Sequence, residues 1–155
     1  MFNLDYYEDK LSESGYRVLT ISIEESKRRK HFYLGPEHIF YALTLVDEDL
    51  LNEIFLELRI DKRKIMKLLN DYMMSSDQYV GEGMKIPLQT RNLFKSAYDY
   101  AQSAGRNLIE SSDFLMVMFQ EPSSAPNKVF KALGVDSVVL ADKIFQKMRD
   151  IGIKK

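Results

Sequence analysis

The sequence predicts an all-α protein, a tandem repeat of two four-helix units with about eight helices. Seven glycines and four prolines among 155 residues leave few breaks between helices. The same arrangement of apolar and small residues also returns after 75 positions. Apolar residues recur at three- and four-residue steps rather than alternating, which is typical of helices that bury one face; one such stripe is Leu50, Leu51, Ile54, Phe55 and Leu58.

The first unit is expected to contain four helices. Gly35 and Pro36 suit an N-cap followed by proline in the first helical position, so they predict the start of the second helix. Ile60 and Asp61 place an apolar residue before an acidic cap, and Ile65 then falls at the position that packs back on Ile60. The predicted bounds are 13–30, 36–46, 49–58 and 61–74.

The second unit repeats these signals. Gly105 follows a helical run and suits the left-handed conformation that ends many helices. Ser124 with Pro126 reads as another helix start. Val135 and Asp136 repeat the apolar-acidic pair of Ile60 and Asp61 at the same offset. The predicted bounds are 90–104, 111–119, 125–133 and 136–149.

At the 75-residue offset apolar residues meet apolar ones without a gap, as with Val18 and Leu93, Ile39 and Phe114, Phe55 and Phe130. We therefore predict a first repeat over about 11–74, a polar linker over 75–85 and a second repeat over about 86–149. Each repeat alone would have a marginal core. We expect one domain over 1–155, in which the repeats pack with approximate two-fold symmetry and leave a groove between them.

Composition and charge exclude several classes of function. Twenty-two basic and 23 acidic residues give a net charge of −1, so we expect neither a nucleic-acid nor an anionic-membrane partner. The basic run 27–30 is interpreted as a helix end, with an acidic partner surface as the alternative. The chain has no cysteine, no apolar stretch long enough to span a membrane and no signal-peptide pattern, which favours a cytoplasmic protein.

No catalytic or metal-binding pattern is found. The string 81–85 is the nearest approach to a phosphate-binding loop, and it lacks both the spacing and the Ser/Thr of that motif. His31 and His38 are the only histidines, and they lie on either side of the Gly35-Pro36 break. A helix-start contact or a solvated side chain is therefore favoured over a zinc site. We expect a protein that is not an enzyme and holds no cofactor.

Several segments resemble the Clp N-terminal domain family. They are Arg17-Val18-Leu19 to Ser26, Tyr33 to Ile39, Leu58 to Asp61, Gln102 to Asn107, Ser111 to Leu115 and Ala132 to Asp136. The resemblance covers nearly all of 11–148 and is specific because it continues through both repeats. Lys30 and Arg59 depart from it, since the family often has glycine there. The Glu-His pair at 37 and 38 is not duplicated in the second repeat.

The resemblance implies a module at the N-terminus of a ClpA-, ClpB- or ClpC-type AAA+ unfoldase. Such a domain binds adaptor proteins and unfolded or tagged polypeptides and passes them to an ATPase ring in the same chain. ATP and Mg²⁺ would belong to that downstream ring, and the isolated domain is expected to be a monomer. The alternative is a free-standing repeat protein with a structural or assembly role, or one that competes for adaptors. A Walker-A motif beyond Lys155 would distinguish the two.

The resemblance also implies candidate binding residues. In the ClpC branch a carboxylate and a hydroxyl hold phosphorylated arginine, and Glu37 and Ser12, with Glu13 beside it, match those positions. In the second repeat Ser112 and Pro87 stand there, so at most one weak phosphoarginine site is expected. Glu37 is expected on the adaptor-facing surface. Apolar residues around the linker, Tyr72-Met73-Met74 and Tyr79-Val80, are further candidates for an exposed patch that binds unfolded segments.

Overall fold

A computed structural model describes residues 4–74, 84–121 and 124–154. The all-α prediction is confirmed. The described residues form nine helices: α1 (Asp5–Glu8), α2 (Glu13–Arg28), α3 (Pro36–Val46), α4 (Glu48–Glu57), α5 (Lys62–Met74), α6 (Leu88–Ser103), α7 (Ser111–Met118), α8 (Ala125–Ala132) and α9 (Ser137–Lys154). All eight predicted helices are present. Two differences matter: α9 continues beyond the predicted end at 149, and α1 was not predicted, because a single turn shows no apolar periodicity.

The internal repeat is visible in the backbone. Helices α2 and α6 begin and end at equivalent positions of the two repeats, and α3 and α7 also begin at equivalent positions. The turns agree as well. Lys30 and Arg59 adopt positive φ angles of 60° and 57°, and the equivalent residues of the second repeat, Gly105 and Gly134, have φ angles of 81° and 75°. The first repeat thus forms the same two left-handed turns with lysine and arginine, where the second repeat has the glycine that suits this conformation.

Hydrogen bonds at these turns are equivalent in both repeats. After α2 the N–H of His31 donates to the carbonyl of Ser26, and after α6 the N–H of Arg106 donates to the carbonyl of Ala101, both at 2.9 Å. Each bond spans a left-handed residue and satisfies a carbonyl that the helix end would otherwise leave without a partner.

The buried apolar side chains of both repeats form one contiguous cluster. Helices α3 and α7 lie at its centre, where they pack on each other, while α5 packs on α8 and α4 on α9. Aromatic rings from both repeats meet there: Phe40 and Phe55 each contact Phe130, with ring centroids 5.7 and 5.9 Å apart. The two repeats therefore share a core.

Two short parallel pairings of extended chain also join the repeats. Leu11 pairs with Ile109, and Tyr33 pairs with Lys85. The N–H of Ile109 donates to Lys10 at 2.7 Å, and the N–H of Leu34 donates to Lys85 at 2.8 Å. The segment before the first helix of each repeat is thus held by the loop before the second helix of the other repeat.

Gly15 makes one of these pairings possible. A Cβ atom built at this position would lie 2.3 Å from the carbonyl oxygen of Ile109. Because no side chain fits in that space, glycine lets the start of α2 approach the main chain of the second repeat.

Candidate functional site

Ser12 and Glu13 lie at the start of α2, next to the second repeat. The Ser12 hydroxyl accepts a hydrogen bond from the N–H of Gly15 at 3.2 Å and so caps the helix. The Ser12 N–H donates to the carbonyl of Ile109 at 2.9 Å. Exposed Glu13 shares a shallow depression with Ser12 and Glu110.

Glu37 lies in the interior, so its expected place on the exposed surface is wrong. Only 4% of the residue is exposed. The Tyr33 hydroxyl donates to Glu37 Oε2 at 3.1 Å. Burial raises the pKa of the Glu37 carboxyl, because removal from water disfavours the charged form.

The structure also separates the two groups of the predicted phosphoarginine pocket. Ser12 is at the N-terminal end of α2. Glu37 lies near the other end of α2. The Ser26 hydroxyl, close to the C-terminus of α2, donates to the carbonyl of Tyr33, and the Tyr33 hydroxyl donates to Glu37. An α-helix rises about 21 Å over the 14 residues from Ser12 to Ser26. The prediction that one ligand contacts both Ser12 and Glu37 is therefore wrong.

The predicted apolar patch around the linker is described only in part. Tyr79 and Val80 lie outside the described residues, so their role stays a prediction. Met73 is buried in the core, which contradicts its expected exposure, whereas Met74 is 72% exposed.

His31 and His38 form a buried hydrogen-bonded pair, with 2.8 Å between His31 Nδ1 and His38 Nε2. The N–H of Gly35 donates to His38 Nδ1 at 3.0 Å, so His38 makes the helix-start contact that was one of the two expected alternatives. His38 therefore carries its proton on Nε2 and donates it to His31, whose ring in turn bonds to the main-chain carbonyl of Met73. His31 is buried and lies before the start of α3, so neither alternative holds for it. Burial lowers the pKa of His38 to about 3 and also lowers the pKa of His31.

The second repeat uses a different chemistry at the same positions. Arg106 and Asp113 are the equivalents of His31 and His38, and their two hydrogen bonds measure 2.6 and 2.7 Å. The N–H of Glu110 donates to Asp113 as that of Gly35 donates to His38. This pairing was not predicted, although aligning the repeats places an oppositely charged pair opposite the histidines.

The repeats meet at two junctions, in each of which the first helix of one repeat contacts the second helix of the other. These junctions differ from each other more than the two paired positions just described. At the junction of α2 and α7, the N–H of Ser111 donates to the Ser14 hydroxyl at 3.0 Å, and the Ser111 hydroxyl donates to Asp47 at 2.8 Å. At the junction of α6 and α3 the corresponding residues are Gln89 and Pro36. Proline has neither an N–H nor a hydroxyl, so it cannot form the equivalent bonds.

A groove of about 240 Å³ lies at this second junction. Its floor includes the buried residues Pro36, Leu93, Val117, Met118 and Ser124, and its walls include the exposed residues Gln89, Asn92, Ser96, Gln120 and Glu121. We did not predict these residues. The sequence does carry a signal for the groove: when the two repeats are aligned, Gln89 and Pro36 stand where the other junction has Ser14 and Ser111.

Over the described ranges, no three His, Cys, Asp or Glu side chains are grouped so that they could hold a metal ion. Among the same residues, no helix has both the length and the apolar character needed to cross a bilayer.

Two of the four residues in the basic run 27–30, Arg28 and Arg29, are engaged within the chain. Arg28 pairs with Glu25, and Arg29 bonds to Glu25 at 2.8 Å and to Asn70 at 2.7 Å. These bonds lower the pKa of Glu25 against the opposing effect of its burial. The contacts favour the interpretation of this run as a helix end.

These features define an all-α repeat domain whose halves exchange extended segments. The family model of the Clp repeat (R) N-terminal domain matches residues 10–133. The chain therefore belongs to the Clp repeat N-terminal domain family. No curated protein matches the chain significantly in sequence.

Solved structures of similar fold include N-terminal domains of Clp and Hsp104 proteins. The Hsp104 N-terminal domain from Candida albicans has a TM-score of 0.76 at 12% identity, over 87% of this chain and 89% of that one. The N-terminal domain of ClpD from Arabidopsis thaliana has a TM-score of 0.71 at 17% identity, over 91% and 96%. That of the ClpV1 ATPase from the E. coli EAEC Sci1 T6SS has a TM-score of 0.68 at 19% identity, over 85% and 82%.

Proposed function

We propose that this chain is the substrate- and adaptor-binding recognition domain of a Clp-type AAA+ unfoldase in the cytoplasm. It catalyses no reaction by itself and delivers proteins to an ATPase ring for unfolding or degradation. The observation that carries this proposal is the match of the Clp repeat N-terminal domain model to residues 10–133.

The surface of the domain supports a polypeptide partner. Several large apolar side chains are exposed on separate elements, among them Leu56 at 79%, Met74 at 72% and Leu88 at 64%. Flexible apolar side chains suit partners of varied sequence. The near-neutral charge gives no electrostatic footprint for nucleic acid.

Binding to a labelled unfolded protein tests the proposal. We expect fluorescently labelled casein, a chain without a stable fold, to increase in anisotropy when this protein is added. A labelled, stably folded protein of similar size is the control and should show no change. Equal binding of the two, or no binding of casein, would contradict the proposed function.

A further inference from the structure

Helix α9 carries an apolar stripe beside the face that enters the core. Val138, Ala141, Phe145 and Met148 follow one another at steps of three and four residues, so they lie on one side of the helix. Val138 and Phe145 are 64% and 48% exposed, whereas Ile144 on the neighbouring face is buried in the core. An exposed aromatic ring among aliphatic side chains is typical of the centre of a protein interface.

The aromatic ring of this stripe has no counterpart in the first repeat. Asn70 is the equivalent of Phe145, and its side-chain oxygen accepts a hydrogen bond from Arg29 at 2.7 Å. Ala104 is the equivalent of Arg29 and has no side-chain donor, so the second repeat cannot form this contact. The repeat fold thus forms with a polar residue at this position, and it does not require a half-exposed phenylalanine there.

Two opposite charges border the stripe and give a second, independent observation. Asp142 and Arg149 are both exposed and lie seven residues apart, which is about 10 Å along the helix axis. Within the described ranges neither takes part in an ion pair, whereas Lys143 and Lys147 of the same helix pair with carboxylates of α4. The charges of Asp142 and Arg149 are therefore available to a partner.

The order of these charges makes the surface complementary to a second copy of itself. When two α9 helices pack antiparallel about a two-fold axis near Phe145, Asp142 of each copy faces Arg149 of the other. The same axis brings the two Phe145 rings together between the two ion pairs. A parallel arrangement would instead place like charges opposite each other. The net charge of −1 adds little repulsion between the copies.

We propose that the apolar stripe of α9 is a self-association surface, on which a second copy of this chain packs its own α9 in the antiparallel direction. Phe145 is the central anchor, and the Asp142–Arg149 pairs fix the direction of the helices. Because one helix from each copy forms the contact, the expected dissociation constant is about 0.1 mM. A dilute sample is then a monomer, as the family resemblance implies. This proposal does not depend on the proposed function.

Sedimentation equilibrium of the purified chain over about 0.01–1 mM tests the proposal in the range where a weak interface forms. We expect monomers and dimers without larger species, because a two-fold contact is closed. Phe145→Glu should weaken the dimer more than about tenfold, since it places a charge at the centre of the contact. The matched control is Leu56→Glu, at a residue of α4 that is 79% exposed, and it should change the dissociation constant less than about twofold.

Charge reversal tests the direction of the two helices. Asp142→Arg alone and Arg149→Asp alone each bring like charges together, so each should weaken the dimer about three- to tenfold. An equimolar mixture of the two variants should associate to within about twofold of the wild type, because every facing pair is again opposite in charge. Both residues are exposed, so these variants carry the test even where Phe145→Glu lowers stability.

Several results would overturn the proposal. If the wild type stays a monomer at the highest concentration, the stripe is not a self-association surface. If Phe145→Glu and Leu56→Glu weaken the dimer equally, or if the single charge reversals leave it unchanged, the contact lies elsewhere or has another direction. If no dimer forms and Phe145→Glu abolishes the binding of casein, the stripe binds unfolded polypeptide instead, and the proposed function stands.

Discussion

Phe55 and Phe130 occupy the same position in the two repeats, and their rings pack against each other with centroids 5.9 Å apart. Both are almost fully buried, at 2% and 0% exposure. The equivalent residues of the repeats thus meet at the centre of the molecule. A core built in this way belongs to neither repeat alone.

We predict that Phe55→Ala and Phe130→Ala each lower the free energy of unfolding by about 3–5 kcal/mol, because each leaves a cavity in the core. The double variant should lose less than the sum, because each truncation removes the same ring contact. Chemical denaturation measures these values, with exposed Leu56→Ala as the control. Two separate unfolding transitions in the wild type would contradict a shared core.

Substitutions at the left-handed turns should change the free energy of unfolding in opposite directions in the two repeats, because one introduces glycine and the other removes it. We expect Lys30→Gly to raise the free energy of unfolding by about 0.5–1 kcal/mol, because it relieves a left-handed conformation that disfavours side chains. The reverse change, Gly105→Ala, should lower it by about 1 kcal/mol although a Cβ there meets no atom within 4 Å. Thermal and denaturant unfolding measure both, and the same sign for the two changes would contradict this account.

Gly15→Ala should destabilise the protein by about 1–3 kcal/mol, because the new Cβ would collide with the main chain of the second repeat. Ala has the higher helix propensity, so propensity alone predicts the opposite sign. Denaturant unfolding gives the free energy, and hydrogen exchange of the Ile109 amide shows whether the pairing with Lys10 opens. An unchanged or increased stability would show that the close approach does not exist.

The histidine pair should make the fold sensitive to mild acid. The pKa of His38 is lowered to about 3, so the unfolded chain takes up the proton first as the pH falls below about 6.5. Stability should therefore fall by about 2 kcal/mol from pH 7 to pH 5 through His38, and His31 adds to this. Glu25 and Arg29 act on the pair electrostatically and the Tyr33 ring packs against both histidines, while Glu37 contacts Tyr33.

A matched variant isolates this effect. His31→Arg with His38→Asp reproduces the Arg106–Asp113 pair of the second repeat and leaves Glu37 unchanged. Denaturant unfolding at pH 7 and pH 5 should show a smaller loss of stability for the double variant than for the wild type. An equal loss in both proteins would assign the acid sensitivity to other groups.

Glu37→Gln should stabilise the protein at neutral pH. The raised pKa of the buried carboxyl means that ionisation opposes folding above about pH 4.5, and glutamine removes that cost while it still accepts from Tyr33. The gain should disappear as the pH falls below about 4.5, where both states are protonated. Exposed Glu13→Gln is the control, and a loss of stability at pH 7 would contradict the prediction.

Most of the fold could be predicted from the sequence, because the internal repeat allows the signals for each helix to be checked against those of the equivalent helix in the other repeat. Helix starts with clear signals, such as Pro36, agree with the structure. The short helix α1 was not predicted, because a single turn shows no apolar periodicity. Its residue Tyr7 is held by contacts with Phe94 and Tyr98, which are distant in sequence.

The candidate site was harder to predict. The position of Glu37 at a helix start does not tell on which side of the helix the interior lies, and its burial depends on packing against other elements. The groove depends on the absence of hydrogen bonds at Pro36, and an absence becomes visible only when the two junctions are compared.

The exchange of extended segments between the repeats has a consequence for synthesis on the ribosome. Ser14 bonds to Ser111 across 97 positions of sequence, and Leu11 pairs with Ile109. The start of α2 therefore lacks its partner until most of the chain has been translated, which takes several seconds at about 5–20 residues per second. During that interval we expect the nascent first repeat to expose apolar surface that the second repeat covers in the complete fold.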